Sequence, residues 1–266
     1  MSILTEPLSY IFIWEINNGN YKEENMNKKY IYAHAETKES GKENKDLTAK
    51  HWKVYYYLLS LSKYNPSAIE NHRYIYKSAI NITTFCKELE IKSRQTFYTA
   101  ISKLKSCSLI KETEEYYLIY SKNWVKINID LLLNLIRCSK IRDEDIDLLR
   151  LYLVLKKLSE IVDKNKRAFT LRDMVIILGH HDSNEEYYRN IRLYLALLSF
   201  WDLIEIKTHT EVNNAGKSFL VYHLEDIHNS TDSKDFVADI KEQMSHSIMS
   251  EDLIEKLRFN YFLHES

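Results

Sequence analysis

The sequence predicts a mainly α fold with small β-hairpins (α+β), and three observations predict it. Glycine (4) and proline (2) are scarce among the 266 residues, which disfavours a turn-rich all-β chain and favours helices. Apolar residues recur at helical spacing along most of the central region. One order of elements (helix, short turn, helix, hairpin) occurs twice. It runs first through Ile82–Ile91, Ser93–Leu104 and Tyr116–Tyr120, then through Phe169–Leu178, Ser183–Phe200 and two β-rich runs. That order is the winged helix-turn-helix, so the chain is expected to hold two such domains in tandem. The expected bounds are an arm over 1–47, partly flexible, a first domain over 48–127, a second over 128–226 and an acidic helical tail over 227–266.

In the first copy, Trp52, Tyr55, Tyr56, Leu59 and Leu61 give residues 48–63 a broad apolar helical face. The Pro66 loop ends that helix, because proline cannot continue its hydrogen-bond ladder. Arg73–Tyr76 reads as a short strand that pairs with the following hairpin. A second helix spans 83–89 with Phe85, Cys86 and Leu89 inward. Glu90–Lys92 makes the turn, and Ser93 caps the third helix. In that helix Phe97, Ala100, Ile101 and Leu104 share one face. The opposite face presents Arg94, Gln95, Tyr98, Thr99, Ser102, Lys103 and Lys105. Arg and Gln suit purine edges, and Thr, Tyr and Lys suit phosphates. The bland alternative is an ordinary solvated face. The hairpin tip, Glu112–Glu115, is acidic and is expected to stay off a phosphate backbone.

In the second copy, residues 144–163 form a helix that is apolar nearly all round, expected as a buried strut between the domains. A helix over 171–178 stops at Gly179. Ser183 with Glu186 reads as a capping box opening the next helix. That helix buries Tyr188, Ile191, Leu195 and Leu198 and shows Glu185, Tyr187, Arg189, Asn190 and Arg192. The hairpin 203–208 and 218–224 turns through Glu211–Lys217, where Asn213, Asn214 and Gly216 are expected at positive φ. Glu185 and Glu186 disfavour a phosphate near the helix start, so this copy reads as a weaker DNA contact or a packing and dimerisation module. Lys207 and Lys217 are its better phosphate candidates.

The net charge of −1 conceals an asymmetry. Residues 50–126 carry 13 basic against 6 acidic side chains, a net of +7, whereas 127–226 carry 14 against 16 and 227–266 carry 4 against 8. Local charge sets the footprint for a polyanion. The three widely spaced cysteines suit a reduced, cytoplasmic protein, and no run approaches a membrane span or a signal peptide. The tail is expected to form two short helices, over 236–249 and 251–262. Their apolar positions suit docking on the body or on a second copy, so a homodimer is one expected arrangement. Phosphate-binding loops, dinucleotide fingerprints and nucleophile elbows are missing from the sequence. His180-His181 reads as a loop pair, and Asp143–Asp147 as a charged helix start rather than a metal site. No enzyme, metal or cofactor is expected.

The segment Leu59–Tyr64, then Arg73–Tyr76, Ile82–Leu89 and Ser93–Thr96, resembles the N-terminal winged helix of the RepA-type initiators of Gram-positive plasmids. The doubled layout over 48–226 resembles the other large initiator family, which carries two winged helices in tandem. The resemblance implies replication initiation for a plasmid or phage, through binding of repeated origin sites in double-stranded DNA and recruitment of host replication proteins. Carried over by position, it places the base-reading helix at Arg94–Lys105, with Ser93, Arg94, Gln95 and Thr96 at its N-terminal end. The expected DNA-contacting residues are Ser93, Arg94, Gln95, Thr96, Tyr98, Thr99, Lys103, Lys105, Arg189, Asn190, Arg192, Lys207 and Lys217. A transcription regulator and a protein-interaction scaffold are the rival readings.

Overall fold

The computed structural model describes residues 30–36, 46–64, 73–120, 123–138 and 143–228. In chain order the elements are β1 (Tyr30–His34), α1 (Ala49–Leu61), β2 (Lys63–Tyr64), β3 (Arg73–Tyr76), α2 (Ile82–Glu88), α3 (Arg94–Ser106), β4 (Ile110–Glu112) and β5 (Tyr116–Ile119). They continue with β6 (Trp124–Asn128), α4 (Ile129–Cys138), α5 (Ile146–Ser159), β7 (Ala168–Phe169), α6 (Leu171–Ile177), α7 (Glu185–Phe200), β8 (Ile204–Val212) and β9 (Ser218–Ile227). The fold is mixed α and β with small antiparallel sheets, in the orders β2-β3-β5-β4, β7-β9-β8 and β1-β6. The arm before Tyr30, the loop around Pro66 and the tail helices expected over 236–249 and 251–262 lie outside the described residues.

The two halves repeat in their bonding as well as in their order. In each, a strand before the helix pair (β3, β7) runs antiparallel to the second strand of the hairpin (β5, β9). The helix ends match atom for atom. After α2, the Leu89, Glu90 and Ile91 N–H groups donate to Phe85, Lys87 and Cys86 carbonyls. After α6, those of Leu178, Gly179 and His180 donate to Met174, Ile176 and Val175. Glu90 and Gly179 hold the same left-handed position, at φ 55° and 76°. After α3 and α7, Leu109 and Leu203 donate back to Leu104 and Leu198, with Ser108 and Asp202 at φ 57° and 55°. These are caps that satisfy orphan carbonyls through one residue of positive φ. The second copy places glycine at the first of them, where no Cβ opposes the conformation.

One continuous apolar core runs from Ile31 to Leu224 and joins both halves. At its centre are α1, buried from Trp52 to Ser60, and α5, buried from Ile146 to Leu155. α5 packs on α1, α4, α7, β6 and β9, the position of a strut. Trp52, Tyr55 and Tyr56 interlock edge-to-face and stacked, with centroids 5.1–5.8 Å apart. The Tyr55 and Tyr56 hydroxyls donate to the Tyr120 and His34 carbonyls, so these buried rings leave no hydroxyl unpaired.

Charge enters this core only where it is paired. Arg150 on α5 is 3% exposed. Its Nε and Nη2 donate to the two Glu36 oxygens at 2.7 and 2.8 Å, Nη2 also to the Leu178 carbonyl at 2.6 Å, and Nη1 to Asp147. Asp147 also bonds His180 Nε2, and the guanidinium lies over the Trp52 ring, 4.7 Å from its centroid. Burial pushes the Glu36 carboxyl above its ordinary range against the pull of Arg150. Burial raises Asp147 too, but Arg150 and His180 outweigh it and hold its carboxyl low. Asp145 accepts from the Tyr194 hydroxyl, and Asp143 pairs with the fully buried Lys53 at 2.9 Å. Asp143, Asp145 and Asp147, expected as a charged helix start, are instead anchors, because each of the three meets a donor from another element.

Other expectations need correction. α5 ends at Ser159, not 163, because Asp163 accepts the Asn165 N–H and starts its own turn, which leaves Ile161 37% exposed. α7 opens at Glu185 with Asn184 as its cap. The Ser183 hydroxyl faces His181 instead. Among the described tip residues of the second hairpin only Gly216 has positive φ, because Asn213 Oδ1 accepts from the Ala215 and Lys217 N–H groups and organises the turn by side chain. α4 and β6 have no counterpart among the expected elements. Asn128 caps α4 by accepting from the Asp130 N–H at 2.8 Å, and β6 pairs with β1 from the arm.

Replacing Arg150 by Met leaves two buried carboxylates without their cation. Unfolding in urea should show a loss of about 3–5 kcal/mol. A loss below about 1 kcal/mol would show that the network contributes little. At the left-handed cap, Glu90→Gly relieves the Cβ and should raise stability by about 1 kcal/mol in the same assay. A decrease would mean that the Glu90 side chain contributes more than its backbone costs.

Candidate nucleic-acid interface

α3 is built to show one face. Phe97, Ala100, Ile101 and Leu104 are buried against α1, α2 and β4. Phe97 meets Phe85 edge-to-face at 4.9 Å, and Phe85 meets Tyr57 at 4.8 Å, so an aromatic column seats the helix on the core. Ser93 Oγ accepts the Thr96 N–H at 3.2 Å, the N-cap expected from sequence. No acidic side chain lies in the first turn.

The opposite face is open. Ser93, Arg94, Gln95, Tyr98, Thr99, Ser102 and Lys105 are exposed, with Tyr98 at 48%. Spacing of three and four residues puts Gln95, Tyr98, Thr99 and Ser102 in one stripe. Arg94 Nη2 donates to Thr83 Oγ1 at 2.6 Å, which ties the start of α3 to α2 and leaves other guanidinium donors to point outward. Thr99 Oγ1 donates to the Gln95 carbonyl, so its hydroxyl is left as an acceptor. Thr96 is half-buried and its hydroxyl meets Ser93 Oγ, which makes it part of the cap more than of the surface. Lys103 is half-buried, 3.5 Å from Asp46.

The hairpin beside α3 is less acidic in effect than in sequence. Glu112 Oε2 and Oε1 pair with Lys105 at 2.6 Å and Lys77 at 2.8 Å. Hydrogen bonds from Lys105 and Lys77 hold its carboxyl below the usual range. Glu114 and Glu115 remain exposed at the tip.

α7 presents much less. Arg189 and Arg192 are exposed, but every residue from Leu193 to Leu198 is buried. Asn190, expected on the outward face, is 6% exposed, and its Oδ1 meets no hydrogen-bond partner among the described residues. A side chain so enclosed cannot reach a base edge. Tyr187, also expected outward, is half-buried and stacks on His180 at 4.0 Å. Lys207 and Lys217 are exposed on the second hairpin, with Lys207 3.5 Å from Glu225. The structure therefore gathers Ser93 to Lys105 on one helix and scatters the four candidate cations of the second half, Arg189, Arg192, Lys207 and Lys217, over a helix and a hairpin.

Among the described residues no group of three His, Cys, Asp or Glu side chains is placed to hold a metal ion, and no helix is long and apolar enough to cross a membrane. Cys86, Cys107 and Cys138 are free, and burial pushes the Cys138 thiol up to about 12. Comparison with protein-family models, with curated proteins and with solved structures finds no match.

Ser93→Ala removes the cap acceptor and should cost about 1 kcal/mol of stability in urea unfolding. Thr and Asp at the same position restore the acceptor and should recover most of it. An unchanged midpoint for Ser93→Ala would mean that Thr96 N–H finds another partner.

Proposed function

We propose that this chain is a sequence-specific double-stranded DNA-binding protein made of two winged-helix modules, and that it initiates replication of a plasmid or phage by binding origin repeats. One observation carries the DNA reading: a capped, core-seated α3 with Arg94, Gln95, Tyr98, Thr99 and Lys105 exposed, in a region of net charge +7 over residues 50–126. A helix of that surface fits a major groove, with Arg94 and Gln95 on base edges and Lys103 and Lys105 on phosphates. The repeated strand, helix pair and hairpin, closed by the same caps, support the winged-helix reading of both halves. The replication role, with host replication proteins as partners, rests on the likeness of residues 59–96 to plasmid initiators.

The two modules differ in what they offer. α7 is enclosed beyond Arg192, so the second module contacts phosphate through Arg189, Arg192, Lys207 and Lys217 and reads few bases. A scaffold reading draws on the same enclosure and on the exposed Glu114 and Glu115. It predicts little DNA retention.

Selection from random duplexes at two salt concentrations tests the proposal. Enrichment of a short site whose affinity falls steeply with salt supports it, and retention without enrichment overturns it. On the enriched site, Arg94→Ala should relax preference at one base pair by about 1–3 kcal/mol. Lys103→Ala should weaken all sequences alike and lower the salt slope by about 1. Identical effects of the two substitutions would contradict the division into base and phosphate contacts.

A further inference from the structure

The ribbon β1–β6 is distant in sequence from α3 and has a surface of its own. Its register pairs Tyr30 with Asn128, Tyr32 with Lys126 and His34 with Trp124. Strand alternation sends Ile31, Ala33, Val125 and Ile127 inward, where all four are buried at 0–1% exposure. Tyr30, Tyr32, Trp124 and Lys126 fall on the outer face. The three rings are 37%, 44% and 41% exposed. Single exposed aromatics are ordinary, but three on one short two-stranded face form a patch.

The geometry within the patch is specific. Tyr32 meets Trp124 edge-to-face, with centroids 4.6 Å apart and planes at 78°. An edge-to-face pair leaves one ring with its flat face uncovered by the other. Lys126 Nζ stands 4.4 Å from the Tyr30 centroid. Lys156, half-buried at the C-terminal end of α5, feels the Glu160 carboxylate and, more weakly, Lys126. Neither strand contains an acidic residue. Three rings and one ammonium group thus share this outer face.

Bases present flat faces for stacking and a phosphate every nucleotide, but only when the strand is single, since the faces are occupied in a duplex. We propose that the outer face of the β1–β6 ribbon binds single-stranded nucleic acid, with Tyr32 and Trp124 stacking on bases and Lys126 holding phosphates. The proposed site shares no residue with the duplex-reading helix.

Fluorescence anisotropy of a labelled oligothymidylate of about 15 nucleotides, titrated with the full-length chain, tests this. The parent should bind with an affinity that falls with salt. Trp124→Ala and Tyr32→Ala should each weaken binding by about tenfold. Trp124→Phe keeps a ring and should stay within about threefold of the parent. Lys126→Ala should flatten the salt dependence. Arg94→Ala should leave this binding unchanged. All four side chains are exposed, and matching thermal melts would show that the variants are folded. Absence of binding by the parent overturns the proposal, as does equal binding by parent and Trp124→Ala. Weakening by Arg94→Ala alone places the strand on α3 and also overturns it. If Trp124→Ala abolishes self-association and leaves oligothymidylate binding intact, the patch is a protein contact and the proposal falls.

Discussion

The guanidinium of Arg150 is the interaction on which the rest of the structure depends. A cation 3% exposed is costly unless its donors are met, and here Glu36, Asp147 and the Leu178 carbonyl accept four hydrogen bonds from it while Trp52 covers the plane. These partners come from four places in the chain. Glu36 follows β1, Trp52 is on α1, Asp147 is on α5 itself, and Leu178 ends α6. The network thus fixes the arm, the strut and the second helix pair against one another. His180, bound to Asp147 and stacked on Tyr187, extends the same fixation to α7. A core of leucine alone would bury the same elements with less control over their mutual register, because apolar contact is non-directional and bidentate hydrogen bonds are not.

That rigidity bears on how the two halves differ. α3 sits at the edge of the core, with one side on Phe85 and Leu104 and the other side open. α7 lies deeper, against α5, α6 and β8, and is enclosed for most of its length. Equal local topology therefore yields unequal surfaces. The charge distribution agrees, with the positive excess confined to residues 50–126. Under the proposed function the first module reads DNA, and the second contributes packing and scattered cations.

Much of this was legible in the sequence. The order of elements, the cap at Ser93, the stop at Gly179 and the faces of α3 all follow from local patterns, because α3 touches the core on one side only. Asn190 was not legible from its polarity. It shares a stripe with Leu193, Tyr194 and Leu197 at spacings of three, four and seven, and that second apolar stripe is the signal that marks it as buried. A lone arginine in the run Leu148–Leu155 likewise signals a buried partner, but nothing local names Glu36. The β1–β6 ribbon joins distant segments, and its register is set by the core beneath it, so no local pattern names the pairing. Asp143, Asp145 and Asp147 misled because a cluster of carboxylates at a helix start is usually solvated, whereas here Lys53 claims the first, Tyr194 the second, and Arg150 and His180 the third.

The central claim is that α3, and not α7, lies in the groove. Photo-crosslinking tests it most directly, with a benzophenone amino acid placed at position 98 or at position 189 of the full-length chain and an enriched duplex as the target. Both positions are exposed, so the probe leaves the core intact. The account predicts strong crosslinks to bases from position 98 and few or none to bases from position 189. Base crosslinks from position 189 with none from position 98 would contradict it.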